Sequence, residues 1–590
     1  MKMLPRYRVW FLTALLLLAV GATYNCSDFL EAPPQGALDD KTLANKAGVE
    51  GALIAAYRVL DWNTGVGGAW GSAASNWVWG SVTSDDAYKG SEASDQPAIT
   101  DIELYNWLTG AADNDYLDSK WRARYEGVVR ANAAIRLLNT VRAASPGEIS
   151  DADANGIRGE ALFLRAHYHF EAWQMWENIP YYTETDEDYR KTNVGVDAIP
   201  LILADLDEAI SLLPTTPRNG QAGRATQWAA KAYKGRVQVY SGDYAGALTT
   251  LRDVRNSGPY ALESSYDRVW TGFAAFANGP ETILAYQASA NDGEPSGNNS
   301  NYGERLNFPH SGSPFGCCGF HQPSQNLVNF FKVDANGLPL ALTDPNWNAS
   351  NAEFDASMNT VPVDPRIDWT VGRDGVPFKD WAQVHAAGWI RSPTFGGPYS
   401  PKKNIHERTS GAQSNVGWVN TQLNAVNVHI FRYADMLLLL AEAEVEAGDL
   451  ETARAIVNQI RARAAVAAQG PGTDASDMAV PINDASITWA NYEVGQYTTT
   501  WTDQAFARTA VRYERRLELA MEGKRFFDLR RWGMAEQVIN AYLAVESTRL
   551  AHLSTASPFS ARHALYPIPT RQIELSKVGE ESRLVQNPGW

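Results

Sequence analysis

Two helical hairpins with the same turn constrain the fold of this chain more than any other feature. In each hairpin, apolar residues recur at three- and four-residue steps on both sides of a Gly-Asp turn, which predicts two amphipathic helices packed together. The shared turn residues are Gly242, Asp243 and Ala247 in the first hairpin, and Gly448, Asp449 and Ala453 in the second. Glycine permits the tight turn, and alanine permits the close helix approach, of tetratricopeptide-like repeats. The sequence therefore predicts a mostly α-helical repeat scaffold with about four helical pairs.

A long, loop-rich stretch interrupts these repeats. Between residues 291 and 428, Gly, Pro, Asn and aromatic residues dominate, and the helical period is mostly absent. Loops that are carried by rigid helices are common sites of ligand binding. We therefore expect a helical part over 26–290, a loop-rich ligand-binding insertion over 291–428, and a second helical part over 429–590 that completes the scaffold.

The stretch 511–533 is predicted to form one long helix, because Tyr513, Leu517 and Met521 share one face. Its charged residues are spaced for ion pairs three residues apart, which are Arg515 with Glu518, Glu522 with Arg525, and Arg525 with Asp528. On a solvated helix face, each such pair would contribute only about 0.3 kcal/mol. Gly523 should cost about 1 kcal/mol relative to alanine in a helix, so we expect a neighbouring segment to press on the backbone there.

Residues 1–25 have the pattern of an export signal. Lys2, Arg6 and Arg8 precede the apolar run 9–20, which is too short to span a bilayer. Cys26 follows, and the arrangement resembles a bacterial lipoprotein signal, in which this cysteine is acylated and becomes the mature N-terminus. Lipoprotein signals usually carry a small residue before the cysteine, whereas Tyr24 and Asn25 stand here. The alternative is an ordinary cleaved signal that leaves Cys26 as a free thiol.

The net charge and the cysteine content limit which partners we expect and how the fold can be stabilised. The net charge is −16 and the sequence has no basic run, so we expect neither nucleic acid nor an anionic membrane surface as a partner. Only three cysteines are present, and two of them, Cys317 and Cys318, are adjacent. A long-range disulfide framework is therefore impossible, and the fold must depend on its core.

Several stretches resemble the SusD/RagB family. They are the second hairpin and its surroundings (431–464), the charged stretch (511–533), the ending (565–590), and Ser84, Asp85, Asp86 and Ala87 with Lys89 and Gly90. Members of this family are outer-membrane lipoproteins that capture nutrients, mostly glycans, for a TonB-dependent transporter. The resemblance covers nearly the whole mature chain. It implies a cell-surface glycan-binding protein without cofactor, anchored in the outer membrane through Cys26, with a SusC-like transporter as its partner.

The resemblance also points to a ligand-binding region. The segment 311–340 is similar to the family segment at which the binding loops meet the scaffold, and the polar loop after Gly90 often contributes one side of the site. Aromatic rings can cover the C–H face of a sugar while polar groups bind its hydroxyls. The residues that we expect to bind ligand are Phe315, Cys317, Cys318, Phe320, Trp347, Trp389, Tyr399, Trp418, Tyr88 and Asp95.

Cys317 and Cys318 are the most distinctive residues of this region. A trans peptide would hold their Cα atoms about 3.8 Å apart, below the usual disulfide range of about 4.4–6.8 Å. A disulfide between them would therefore be strained, and it would form a small rigid ring with a flat, apolar face suited to stacking on a sugar. The alternative is a pair of reduced cysteines.

The sequence contains no recognisable catalytic or metal-binding motif. It lacks H-E-x-x-H, G-x-S-x-G, a P-loop and G-x-G-x-x-G. The acidic run that begins at Asp151 imitates a calcium loop, but Leu162 occupies the position of the bidentate glutamate. We therefore expect neither an enzyme nor a metal site. The remaining alternatives are a peptide or other polymer as ligand, an envelope scaffold without a ligand, and a glycosidase, since acidic pairs are common in this chain.

Overall fold

A computed structural model describes residues 43–61, 68–109, 112–358, 360–381, 384–417, 419, 421–469 and 487–590. The predicted export signal 1–25, Cys26 and Trp418 lie outside the described residues. Among the residues that are described, no helix is both long enough and apolar enough to cross a membrane.

Helices form most of the regular structure. The first group, before the loop-rich stretch, is α1 (Lys46–Tyr57), α2 (Pro97–Glu103), α3 (Asp115–Ala144), α4 (Asp151–Trp176), α5 (Ala198–Leu212), α6 (Gln227–Tyr240) and α7 (Tyr244–Ser257). Short helices follow, namely α8 (Gln325–Phe330), α9 (Asn351–Ser357), α10 (Ile367–Thr370) and α11 (Pro393–Gly396). The last group is α12 (Tyr433–Ala447), α13 (Leu450–Val466), α14 (Gln504–Leu519), α15 (Arg525–Arg531), α16 (Ala535–Glu546) and α17 (Thr570–Leu575).

The strands are short and pair two by two. They are β1 (Ala87–Gly90), β2 (Leu108–Thr109), β3 (Ala112–Asp113), β4 (Thr282–Tyr286), β5 (Phe320–Pro323), β6 (Val371–Gly372), β7 (Ser400–Pro401) and β8 (Val428–Arg432). The antiparallel pairs are β1 with β5, β2 with β3, β4 with β8, and β6 with β7. Because β4 and β8 flank the loop-rich stretch, their pairing holds its two ends together.

The long helices stack side by side, which confirms the predicted repeat scaffold. Helix α1 packs on α3, the helices from α3 to α7 each pack on the next, and α7 packs on α12, which contacts α13 and α14. Asp243 caps α7 by accepting a hydrogen bond from Gly246 N at 2.9 Å, and Asp449 caps α13 by accepting one from Thr452 N at 2.9 Å. Ala247 and Ala453 are fully buried, as close helix packing requires.

The prediction of one long helix over 511–533 is wrong. Helix α14 ends at Leu519, and Met521 and Gly523 adopt positive φ angles of 65° and 66° before α15 begins. The apolar spacing persists across this break because both helices face the same core. A π-helical segment, Trp77–Val82, lies against the break, and Gly523 N donates a hydrogen bond to Ser81 Oγ at 3.2 Å. The expected close neighbour at Gly523 is therefore confirmed.

The predicted ion pairs within 511–533 are also wrong, since these side chains bind other partners. Arg515 pairs with Asp435 at 2.6 Å and with Asp528 at 2.7 Å, and Arg525 pairs with Asp85 at 2.8 Å. The break between α14 and α15 separates only the predicted pair of Glu522 with Arg525, because the members of each of the other two pairs lie in one helix. In those two pairs, each side chain instead binds a buried group of opposite charge elsewhere in the fold. The charged residues of this stretch therefore lie inside the protein and not on a solvated face.

A buried ion cluster joins the scaffold to the loop-rich stretch. We define it as Glu281, Arg366, Lys403, Arg432, Arg463, Glu514, Glu518 and Glu522, all of which are buried. At its centre, Arg432 lies 2.6 Å from Glu281, 2.7 Å from Glu518 and 2.7 Å from Glu522. Burial alone would raise the pKa of Glu522, but the positive charges of Arg432 and Lys403 outweigh it and lower this pKa to about 2.

Replacing Glu522 with Gln should lower the free energy of unfolding by about 3–5 kcal/mol, because Arg432 and Lys403 would lose a buried carboxylate. The pKa of Glu522 is depressed in the folded protein, so its stabilisation is present above pH about 4.5 and is lost as the pH falls towards 2. Urea unfolding between pH 7 and pH 3 measures both effects, and the variant should lose less stability on acidification than the wild type.

The control for this experiment is Asp207→Asn, which removes a more exposed pair with Lys234 at 2.5 Å. That substitution should cost less than about 1 kcal/mol. Equal losses for the two variants would contradict a special role for the buried cluster.

Replacing Gly523 with Ala should destabilise the protein by about 2 kcal/mol or more. The new Cβ would meet the Ser75 carbonyl oxygen, and the positive φ disfavours any residue with a side chain. The matched control is Gly51→Ala in α1, where a Cβ meets nothing within 4 Å, so this change should be neutral or stabilising. Chemical denaturation of both variants measures the difference, and similar stabilities would refute the close approach of the two segments.

Candidate functional site

Three loops converge where strands β1 and β5 end. Gly90 pairs with Phe320 at the end of the ladder, and Ser91 N donates a hydrogen bond to Gly319 O at 2.5 Å. The chain that leaves β1 (91–96) therefore runs beside the chain that enters β5 (308–319). A third loop, 387–392, joins them, because His310 N donates a hydrogen bond to Trp389 O at 2.9 Å. We refer to 91–96, 308–319 and 387–392 as the loop cluster.

Arg391, in the third loop, binds side chains of the first loop. Its guanidinium lies 2.8 Å from Asp95 Oδ2 and 2.6 Å from Glu92 Oε1, and it donates a hydrogen bond to Ser91 Oγ at 3.1 Å. The Arg391 side chain keeps 31% of its surface exposed. Asp95, which the sequence reading selected, is therefore in the loop cluster and is paired with a cation.

Cys317 and Cys318 form a vicinal disulfide, which is one of the two alternatives that the sequence left open. The peptide bond between them is cis, whereas the prediction assumed a trans bond. Cys318 N donates to Phe308 O at 3.1 Å, and the Gln422 side-chain amide contacts Cys317 O and lies 3.7 Å from Cys318 Sγ. Cys317 is half-buried and Cys318 is buried. The ring thus sits at the surface of the loop cluster, with its second cysteine turned inward.

Phe315 and Trp389 lie beneath these loops. Both rings are buried, and they pack in one apolar cluster with Phe308, Phe378, Trp381 and Ile405. Phe315 meets Trp381 edge-on at a centroid distance of 4.7 Å, a favourable arrangement of aromatic rings. In this structure the two side chains support the loops from below and offer no ring face to solvent.

Tyr88, Phe320 and Tyr399 are also buried, the first two in one core cluster and Tyr399 in another. The Tyr88 hydroxyl donates to Glu546 Oε2 at 2.6 Å, and the Tyr399 hydroxyl donates to Gln325 Oε1 at 3.0 Å. These hydroxyl groups therefore already form hydrogen bonds within the protein.

Trp347 lies apart from the loop cluster. It packs edge-on against Phe330 at a centroid distance of 5.3 Å and lines a groove together with residues of α14 and α16. The structure thus brings Asp95, Cys317 and Cys318 together at the surface, and it places the predicted aromatic residues below them or elsewhere.

Polar residues that the sequence reading missed complete the surface. Arg391 and Glu92 face each other across two loops, and the half-buried His310 shares a hydrogen bond of 2.7 Å between its Nδ1 and Ser311 Oγ. Partial burial lowers the pKa of His310, and the positive charge of Arg391 adds to this effect. No local motif marks these residues, because the β1–β5 ladder and the contacts of the third loop bring them together only in the folded chain.

Buried polar groups hold the loops on the scaffold. Lys89 Nζ donates to Glu92 O at 2.7 Å from below, and burial lowers the pKa of Lys89 to about 8. Glu304, just before the loop 308–319, accepts hydrogen bonds from Asn307 and Asn404, each at 2.8 Å. Burial raises the pKa of Glu304 to about 7. The ends of two loops are thus fixed by interior contacts.

The loop cluster can bind a ligand that has both hydroxyl groups and apolar faces. Arg391 supplies donors, Glu92 and Asp95 supply acceptors, and the disulfide ring supplies a small flat apolar surface. Among the described residues, no group of three or more His, Cys, Asp and Glu side chains is arranged to hold a metal ion.

Comparisons with known proteins agree with this architecture. A SusD-like protein from Formosa agariphila is 24% identical over 556 residues, which are 91% of this chain and 94% of that protein. A SusD superfamily protein from Bacteroides vulgatus superposes with a TM-score of 0.64 at 20% identity, covering 93% of this chain and all of that one. Surface glycan-binding protein A from Bacteroides thetaiotaomicron, solved in complex with laminarihexaose, gives a TM-score of 0.60 at 18% identity, covering 92% and 99%.

Two family models match the sequence itself. One, described as starch-binding and associating with the outer membrane, matches residues 63–239, and the other, described as the SusD family, matches residues 280–590. The description of the first model is that of a binding protein. Because the second model alone covers more than half of the chain, the predicted resemblance is confirmed and this protein belongs to the SusD family.

Proposed function

We propose that this protein binds an oligo- or polysaccharide at the loop cluster and delivers it to a SusC-like TonB-dependent transporter in the outer membrane. The observation that carries the proposal is the junction at Arg391, where a partly exposed cation joins two loops beside a surface disulfide ring. Family membership supports the ligand class, since one of the matching models is described as starch-binding.

The chemistry of the loop cluster suits a glycan. A sugar presents hydroxyls at its rim and C–H groups on its face, so a site needs donors, acceptors and a flat apolar surface together. Arg391 with Glu92 and Asp95 provides the first two, and the half-buried Cys317 with its disulfide provides the third. Trp389, Phe315 and Phe320 then contribute by keeping the loops in place from below.

The proposal also includes a lipid anchor at Cys26 and a transporter as the partner. Acylation of Cys26 would tether the protein to the outer membrane and leave the folded part at the cell surface. The helical scaffold would contact the transporter, and the loop cluster would remain open to glycans. The family description of outer-membrane association supports this arrangement.

A binding screen on the soluble form that begins after Cys26 tests the ligand class. We expect at least one polysaccharide of a panel that includes laminarin, starch and pectin to retard the protein in affinity electrophoresis, without release of reducing sugar. Retardation by none of them would contradict glycan binding and favour a peptide ligand or a scaffold. Release of sugar would indicate a glycosidase.

Replacing both Cys317 and Cys318 with Ser should lower the affinity for a retained glycan about fivefold or more, because the apolar ring would be lost. The unfolding midpoint should change little, since the disulfide closes no loop in the scaffold. Calorimetry of the wild type with and without a reducing agent is the matched control, and reduction should weaken binding by the wild type only. Unchanged affinity in the double variant would remove the disulfide from the site.

A further inference from the structure

A second concave surface lies away from the loop cluster. It is a groove of about 420 Å³ between α14, α16 and the loop 342–347, and none of the loop-cluster residues lines it. Its volume falls within the range of small-molecule sites, about 300–1,000 Å³. Trp347, Tyr513 and Trp532 contribute half-buried rings, and Leu342 is 57% exposed at its edge.

Arg512 brings a positive charge into this groove without a counter-charge. Its guanidinium lies 4.8 Å from the centroid of the Trp532 ring, and no carboxylate among the described residues lies within ion-pair distance of it. Its Nη1 donates only to Met534 Sδ at 3.1 Å, and its buried Nε has no hydrogen-bond partner in the described part of the chain. Burial, rather than an acidic neighbour, dominates the environment of this side chain and lowers its pKa.

The nearby acidic groups are already bound to other cations. Glu442 accepts hydrogen bonds from Arg531 at 2.6 Å and from Trp532 Nε1 at 2.9 Å. Glu446 pairs with Arg508 at 2.6 Å. Of the charged residues that line the groove, Arg525 pairs with Asp85 at 2.8 Å, which leaves Arg512 as an excess positive charge. In a chain with a net charge of −16, this local excess is complementary to an anion.

The walls of the groove favour a ring over an extended chain. Phe330 packs against Tyr513 at a centroid distance of 4.8 Å and against Trp347 at 5.3 Å, so the aromatic residues form one continuous wall. Thr509 and Gln537 lie exposed at the rim and offer hydrogen-bond partners for hydroxyl groups. An acidic amino-acid side chain has a carboxylate but no flat C–H face to cover such a wall, whereas an acidic sugar has both.

We propose that this groove is a second ligand site, which binds a sugar ring that carries a carboxylate or a sulfate. The C–H face of the ring lies against Trp347 and Tyr513, and Arg512 binds the anionic group through charge-assisted hydrogen bonds. This site is separate from the loop cluster and goes beyond the proposed function, because it selects charged sugars irrespective of what the loop cluster binds.

Calorimetry on the soluble protein tests the proposal with three probes of equal length: an oligogalacturonate, a sulfated galactan oligosaccharide and a neutral galactan oligosaccharide. We expect at least one acidic probe to bind at least about tenfold more tightly than the neutral probe. Comparison of the two acidic probes shows whether the carboxylate or the sulfate is preferred. Equal binding of the neutral probe, or no binding of either acidic probe, would overturn the proposal.

The Arg512→Gln variant should lose about tenfold or more in affinity for the acidic probe. The control is Arg508→Gln, one turn earlier on α14, where the guanidinium is already paired with Glu446, and its affinity should not change. Trp347→Ala provides an independent test of the wall and should also weaken binding. Acidic-probe affinity that persists in Arg512→Gln would refute the assignment.

The serine variant of Cys317 and Cys318 separates this site from the loop cluster. Its affinity for the acidic probe should equal that of the wild type, even where its affinity for a polysaccharide of the first screen is reduced. Loss of both affinities in the serine variant would show that the acidic probe binds at the loop cluster, and it would overturn the second site alone.

Discussion

Arg432 occupies the position on which the rest of the structure depends. Its guanidinium lies among Glu281, Glu518 and Glu522, so it joins β4, β8 and the end of α14 in one buried ion cluster. Arg366, which lies 2.9 Å from Glu518, and Lys403, which lies 2.7 Å from Glu522, come from the loop-rich stretch. A buried carboxylate that loses its partner lowers the free energy of unfolding strongly. Separating the insertion from the helical scaffold would therefore leave these charged groups without their partners.

This attachment explains how irregular loops can present an ordered surface. The scaffold fixes both ends of the loop-rich stretch through β4 and β8, and the β1–β5 ladder aligns two of the three loops of the cluster. Helix α14 contributes side chains to both the interior and the surface. Glu514 and Glu518 belong to the buried ion cluster, and Arg512 lines the groove beside α16. Rigid helices thus carry two different surfaces. One is polar with a disulfide ring, and the other is aromatic, with Arg512 as a cation that has no ion-pair partner among the described residues.

The helical repeats were predictable because spacing and turn residues are local properties of the sequence. The turns at Asp243 and Asp449 and the close approach at Gly523 required no knowledge of distant contacts. The break between α14 and α15 was not predictable, because the apolar period continues across it and the segment that lies against it, Trp77–Val82, is distant in the sequence. The charged partners of Arg515 and the role of Arg391 likewise depend on residues that only the folded chain brings near.

Hydrogen–deuterium exchange in the presence of a retained polysaccharide tests most directly whether a rigid helical scaffold presents the loop cluster as a glycan-binding surface. The soluble protein is compared with and without saturating ligand, and peptides are followed over the three loops and over helices α6, α7 and α12. The account predicts slower exchange in 91–96, 308–319 and 387–392, with the exchange of the helices unchanged. Protection confined to the helices, with none in these loops, would contradict it.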